Sequence, residues 1–187
     1  MTKQELRKKY KLIRSQLSEN EVDELSLKIA NQLLQLTIWN KKYYHVFLTI
    51  KEQKEVETKF ILRILNRKNK VIVVPKSDFD TIEMKHFLLT DNTKIVKNKF
   101  NINEPENGLE VSVDKIDVVF VPLLAYDLKG NRVGFGKGFY DTFLSKCKPA
   151  TIKIGLSFFN PEPHITAVFE KDIRLDYCVT PLKIYQF

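Results

Sequence analysis

Cysteine, histidine and glycine are all scarce in this sequence, and each scarcity narrows the chemistry open to it. The two cysteines, Cys147 and Cys178, lack metal-type spacing and read as inert thiols. The three histidines, His45, His86 and His164, are scattered and supply no catalytic dyad; "PEPH" before His164 reads as a turn. No apolar run approaches the length of a membrane span, and the opening "MTKQELRKKYKLIR" lacks the apolar segment of a signal peptide. The expectation is a cytoplasmic protein. No repeat, low-complexity tract or linker divides the chain, so residues 1–187 are read as one domain. What the sequence does have is charge. A net +8 on a chain that is 43% hydrophobic and 29% charged points to an anionic partner and an ordinary globular core. The basic residues do not gather on one apolar-faced helix, which argues against a membrane surface.

Of the six glycines, four fall in "KGNRVGFGKGFYDTFL", Lys129 to Leu144. Upstream, Thr2 with Glu5 and Ser18 with Glu21 form capping boxes for two amphipathic helices, with Leu6, Tyr10, Ile13 and Leu17 on the first stripe and Val22, Leu25, Ile29 and Leu33 on the second. "YHVFLTI" (44–50) reads as a strand, and 57–67 as a helix with Phe60, Ile61, Ile64 and Leu65 inward. "KVIVVP" (70–75) and "IDVVFVP" (116–122) are continuous apolar runs of strands buried on both faces. Weaker strands are expected at 83–89 and 94–97, a helix from Phe139 to about Lys146, and closing strands at 151–157 and 175–181. This alternation predicts an α/β fold, a layered domain around a mixed, mainly parallel sheet.

A strand, a glycine-rich loop and a helix start make an anion site beyond the carboxyl end of a sheet. Two familiar phosphate loops are excluded. Gly136-Lys137 is followed by Gly138, with no hydroxyl for a Walker A motif, and Gly134-x-Gly136 meets Phe139 where the dinucleotide fingerprint needs glycine. Asp141 then poses a problem. Beside a phosphate it would be repelled by about 4 kcal/mol per pair of unit charges at ~4 Å and an effective dielectric of ~20. Either it faces the helix dipole with no ligand, or a Mg²⁺ ion lies between it and phosphate, sharing one or two carboxylates. Asp176, heading the last strand, is then the candidate second ligand.

The segment "VPLLAYDLKGNRVGFGKGFYDTFL" (121–144) resembles the signature of the 5-formyltetrahydrofolate cyclo-ligase family, also called 5,10-methenyltetrahydrofolate synthetases. "KQELR" (3–7), "EVET" (55–58) and "DIRLDYCVTP" (172–181) agree with it, so the resemblance spans nearly the whole chain. It departs at Leu123, Phe139 and Thr142, where the family commonly has glycine, tyrosine and arginine. The resemblance implies a single three-layer α/β/α domain like those of sugar-phosphate isomerases and CoA transferases. It further implies an ATP-dependent ligase acting on 5-formyltetrahydrofolate. ATP would be bound by Lys3, Arg7, Arg132, Val133, Gly134, Phe135, Gly136, Lys137, Gly138, Phe139 and Tyr140. Lys137, Arg132 and Tyr140 would be catalytic, with Lys137 nearest the reacting phosphate. Ile50, Glu57 and the stretch Phe135 to Phe139 would border the folate, and Asp141 with Asp176 would hold Mg²⁺. The basic surplus suits a polyglutamylated folate tail; neither a nucleic acid, a membrane nor an obligatory protein partner is implied. Two other readings stay open. A basic nucleic-acid-binding module would use the same charge, although no RNP, KH or zinc pattern is present. An isomerase-like enzyme would share the fold but need a general base and have no use for the aspartate pair.

Overall fold

The two uninterrupted apolar runs end up on either side of the same central strand. The protein is described by a computed structural model covering residues 1–187. Its main sheet contains β1 (Tyr43–His45), β2 (Val71–Asp78), β3 (Glu83–Leu88), β6 (Val118–Pro122), β9 (Ile152–Leu156), β10 (Tyr177–Val179) and β11 (Ile184–Gln186). Their order is β11-β10-β9-β6-β1-β2-β3. The five inner strands run parallel, and β3 and β11 close the edges antiparallel, giving the mixed, mainly parallel sheet expected. Tyr44 pairs with Ile72 on one side and Val118 on the other, so β1 is the strand from which the order diverges in both directions. Ligands of open α/β sheets bind beyond the carboxyl ends of the strands at such a switch point.

Side chains of the inner strands alternate between two cores, as the two-residue strand period requires. Tyr44, Val46, Ile72, Val74, Val118, Phe120, Ile154 and Leu156 face a layer made by α2 (Glu19–Leu33) and α3 (Lys59–Arg67). Val73, Val119, Val121 and Cys178 face the opposite layer, where α4 (Phe139–Ser145) contributes Phe143 and Leu144. This third layer is the thinner one, since α4 has only seven residues and loop side chains such as Leu123 and Leu175 complete it. Gly155 makes that packing possible: a Cβ there would lie 2.6 Å from Leu123 and 2.7 Å from Leu175. Two small hairpins flank the sheet, β4 (Ile95–Lys97) with β5 (Asn103–Pro105) and β7 (Ala125–Tyr126) with β8 (Arg132–Val133).

Both capping boxes form, with the Thr2 and Ser18 hydroxyls accepting from the Glu5 and Glu21 amides and each glutamate reaching back. The α1 helix (Lys3–Ser15) buries Leu6 and Tyr10 against Leu124, Ala125, Val133 and Ile165. Its stripe then departs from expectation: Arg14, not Ile13 or Leu17, is the buried residue of the last turns. "YHVFLTI" is strand only as far as His45, because the chain leaves the sheet at the switch point; Val46 makes one more bond, to Val73, and the backbone turns away.

Candidate active site

The cleft at the switch point has a volume of about 330 Å³. One wall is the glycine loop. Gly136 (φ 96°) and Gly138 (φ 82°) lie in the left-handed region, where side-chain-bearing residues are strained, so glycine at these two positions is what lets the loop turn. The backbone N–H groups of Gly134 through Gly138 make no hydrogen bond to the protein. A run of free amides in a turn forms an anion-binding nest. The short α4 adds little dipole to this, so the anion-holding capacity lies in the amides and in the cations around them.

Those cations arrive from three elements. Arg7 lies flat on the loop, its guanidinium within 3.1 Å of where a Gly136 Cβ would be and its Nε donating to the Gly134 carbonyl at 3.0 Å. Lys3, one turn earlier, pairs with Asp172 and sits 4.8 Å over the Phe169 ring. Arg132, buried on β8, donates to the Ile173 carbonyl and at 2.8 Å to Asp141. Lys137 stands exposed between its two glycines with no ion pair. Lys3, Arg7, Arg132, Lys137 and Asp141 thus converge on one cleft, together with Gly134 through Tyr140 and Ile50.

The other end of the cleft is apolar and aromatic. Phe79, just past β2, packs 4.1 Å from Phe100 at the tip of the β4–β5 hairpin and 5.0 Å from Phe139 of the glycine loop. Beside them Tyr140 presents a phenol whose oxygen is buried without a partner, and burial near Glu55 raises its pKa. Glu55 is 4% exposed and faces this compartment. Burial pushes its carboxyl up to about 7, while the Ile50 N–H (2.8 Å) and the Arg14 guanidinium hold it down.

Three expected residues do not face the cleft. Glu57 turns away: its amide donates to the Ser26 hydroxyl and its carboxylate accepts from the Lys59 N–H at the start of α3. Glu55, two residues earlier in the irregular segment before α3, is the acid that turns in. Asp176 lies at the amino end of β10, opposite the cleft, where it accepts from the Lys153 N–H at 2.7 Å and pairs with the Lys153 ammonium. Asp172 is the second aspartate at the cleft, next in sequence to Ile173, whose N–H bonds Asp141. The Val133 side chain is buried against α1, leaving only its backbone near the loop. Phe79, Phe100, Glu55 and Asp172 carry no motif of their own that would single them out; "EVET" and "DIRLD" contained two of them without deciding which acid faces inward.

A second cavity, of about 420 Å³, lies behind α4 between His86, Glu110 and Lys146. It shares none of the loop amides. No helix is long and apolar enough to cross a membrane.

Comparison with known proteins points to one family. The profile of the 5-formyltetrahydrofolate cyclo-ligase family matches residues 1–174. The 5-formyltetrahydrofolate cyclo-ligase of Mus musculus is 33% identical over 150 residues, covering 73% of this chain and 72% of the mouse protein. That of Haemophilus influenzae is 29% identical over 163 residues, covering 83% and 85%. Among solved structures, the 5,10-methenyltetrahydrofolate synthetase of Aquifex aeolicus superposes with a TM-score of 0.84 at 30% identity, over 100% of this chain and 93% of that one.

Proposed function

The chain belongs to the 5-formyltetrahydrofolate cyclo-ligase family, and from that premise we propose how its cleft divides between two substrates. The triphosphate of ATP lies along the glycine loop, and 5-formyltetrahydrofolate enters the aromatic compartment. The observation that carries this division is the run of free amides from Gly134 to Gly138, met by Lys3, Arg7 and Arg132, next to an apolar chamber that ends in one buried carboxylate. A pterin offers a flat face for Phe79, Phe100 and Phe139 and a donor edge (ring N–H and amino group) for Glu55. Ile50 borders the same chamber. The surplus of positive charge suits a polyglutamate tail.

The chemistry follows from the weakness of a formamide as an electrophile. Transfer of the γ-phosphoryl group to the N5-formyl oxygen turns that oxygen into a leaving group and the carbon into an iminium centre. N10 attacks this carbon, and phosphate departs, giving 5,10-methenyltetrahydrofolate, ADP and phosphate. Such transfer depends on positioning and charge stabilisation more than on acid–base groups, which matches a cleft rich in amides and cations. Arg132 is held in place by Asp141 and the Ile173 carbonyl, and Lys137 is free to follow charge onto the transferring group.

Asp141 and Asp172 fit a Mg²⁺ ion. Each commits one oxygen to protein donors, leaving Oδ2 of Asp141 and Oδ1 of Asp172 unengaged at the cleft. No group of three or more ligating side chains is present, as suits an ion that takes one or two carboxylates and fills its remaining positions with phosphate and water. Bound there, it would offset phosphate charge. ADP release measured with and without 5-formyltetrahydrofolate tests the reading, since folate-dependent release is expected and folate-independent or absent release would refute it. In the same assay, Asp172→Asn should raise the Mg²⁺ concentration for half-maximal rate, and Asp176→Asn should leave it unchanged.

A further inference from the structure

Phe169 is the most exposed aromatic side chain of the protein, at 65%. An exposed ring calls for no account when its segment is loose, but this segment is pinned. The Phe169 N–H donates to Asp172 Oδ2 at 2.6 Å, and the Asp172 N–H returns to the Phe169 carbonyl at 3.0 Å. Three residues earlier, the Thr166 N–H bonds the Met1 carbonyl at the start of α1. Between these ties Ala167 is held at a φ of 58°. A residue with a side chain keeps that conformation only where its surroundings over-determine it, and such positions gather at ligand sites. The ring itself lies over the Lys3 ammonium, 4.8 Å from its centroid. Lys3 pairs with Asp172, both line the cleft, and their side chains are only 13% and 17% exposed. Phe169 thus covers an ion pair of the cleft wall on one side, joins none of the three buried clusters, and stacks on no other ring of the protein.

We propose that Phe169 is the platform on which the base of the nucleotide stacks. The proposal rests on the reading that the triphosphate lies along the glycine loop. Phosphoryl transfer then fixes the direction of the nucleotide: the γ group has to meet the formyl oxygen at the aromatic compartment, so the nucleoside leaves from the opposite end of the triphosphate. Phe79, Phe100 and Phe139 pack together around the compartment assigned to the pterin, and Phe169 touches none of them. Phe169 instead adjoins the cleft through Lys3, whose ammonium both lines the cleft and lies against the ring, so one side chain joins the phosphate wall to the base. Phe135 is the other ring of the loop outside the compartment. It is already engaged, partly buried against the Leu6 and Tyr10 cluster of α1 with the Lys11 ammonium 5.5 Å over it. Stacking needs only a flat apolar face, which the open side of Phe169 supplies.

The test compares a ligand that has a base with one that has only phosphates. ATP and inorganic tripolyphosphate, each with Mg²⁺, are titrated calorimetrically into the full chain without folate. Phe169→Leu keeps an apolar cover over Lys3 and removes the π face. It should weaken ATP by roughly 5- to 150-fold and leave tripolyphosphate unchanged. Phe169→Trp should bind ATP at least as tightly as wild type. Equal weakening of both ligands in Phe169→Leu would mean that the ring only shields the Lys3–Asp172 pair, and would overturn the proposal. Unchanged ATP binding in Phe169→Leu would overturn it too, and a selective loss of ATP in Phe135→Leu alone would move the base to that ring. At an exposed position neither variant of Phe169 threatens the fold. The failure of the underlying reading has its own signature: wild-type protein would bind ATP without any competition from tripolyphosphate. The platform is then judged by NMR alone, where NOEs between the Phe169 ring protons and adenine H2 or H8 are expected and their absence overturns it.

Discussion

Lys137 is exposed, flanked by Gly136 and Gly138, and makes no hydrogen bond or ion pair. Folding therefore draws nothing from its ammonium, whereas a phosphoryl group in transfer would. One preorganised donor to a developing charge is worth on the order of 10²- to 10³-fold in rate. Lys137→Ala should lower kcat by that order while leaving the thermal unfolding midpoint within error of wild type, because surface substitutions cost within about 0.5 kcal/mol. Lys137→Arg should recover only part of the rate, since a planar fork replaces a compact charge poorly in a close-fitting loop. Turnover of the alanine variant at the wild-type rate under saturating ATP and folate would reduce Lys137 to a surface charge. Arg132 contrasts with it. Buried and bound to Asp141 and Ile173, it cannot be removed without loosening the loop itself, so its variants report stability and rate together.

The element on which loop geometry depends is α4, and it has an uncommon seat. Phe143 packs 4.6 Å from His45 and 4.2 Å from His86, and the two imidazoles meet edge to face at 5.2 Å. His45 is fully buried with neither nitrogen bonded, and burial beside His86 holds its pKa well below the ordinary value. Burial, with Lys146 adding repulsion, lowers His86 to about 4. Because both are depressed in the folded state, the unfolded chain binds the extra protons first. Their contribution is complete above the unfolded pKa near 6.5 and is lost as pH falls from there towards 4. The urea unfolding midpoint should therefore fall steadily between pH 6.5 and 4. His86→Phe has room for its larger ring in the adjoining cavity and should flatten that fall. Parallel pH curves for variant and wild type would place the acid sensitivity elsewhere, with the carboxylates of the ion pairs as the remaining source.

Across the whole molecule, what could be read in advance follows a physical division. Strands buried on both faces leave continuous apolar runs, so β2 and β6 were plain, and the capping boxes of α1 and α2 marked two helix starts. The hairpin β7–β8 and the strands β5 and β11 were not legible, because two or three residues carry no periodicity and their pairing is decided by distant chain. The same limit applied to the site. Clustered glycines announced an anion-binding loop, but which of Glu55 and Glu57, and which of Asp172 and Asp176, faces the cleft depends on how irregular chain outside the strands turns. Nothing in the sequence marks Arg14 as buried, because charged residues usually face solvent. The aromatic wall is assembled only in three dimensions, from Phe79, Phe100 and Phe139 on separate segments, and that dispersal has a consequence for the intact protein. Ligands placed as proposed would bridge parts that the sheet alone does not hold together: α1 and the 169–173 segment at the glycine-loop end, and the β4–β5 hairpin at the aromatic end. A ligand at 100 times its Kd adds about 2.7 kcal/mol to folding, and a domain of 150–250 residues gains about 2–4 °C per kcal/mol, so each saturating ligand should raise the melting temperature by roughly 5–11 °C. ATP with Mg²⁺ and 5-formyltetrahydrofolate should each do so alone, the second without any nucleotide present. Arg7→Ala should reduce the ATP increment and spare that of folate, while Glu55→Gln should do the reverse. If the two variants diminished both increments equally, the cleft would not be divided between phosphate and pterin as its two walls indicate.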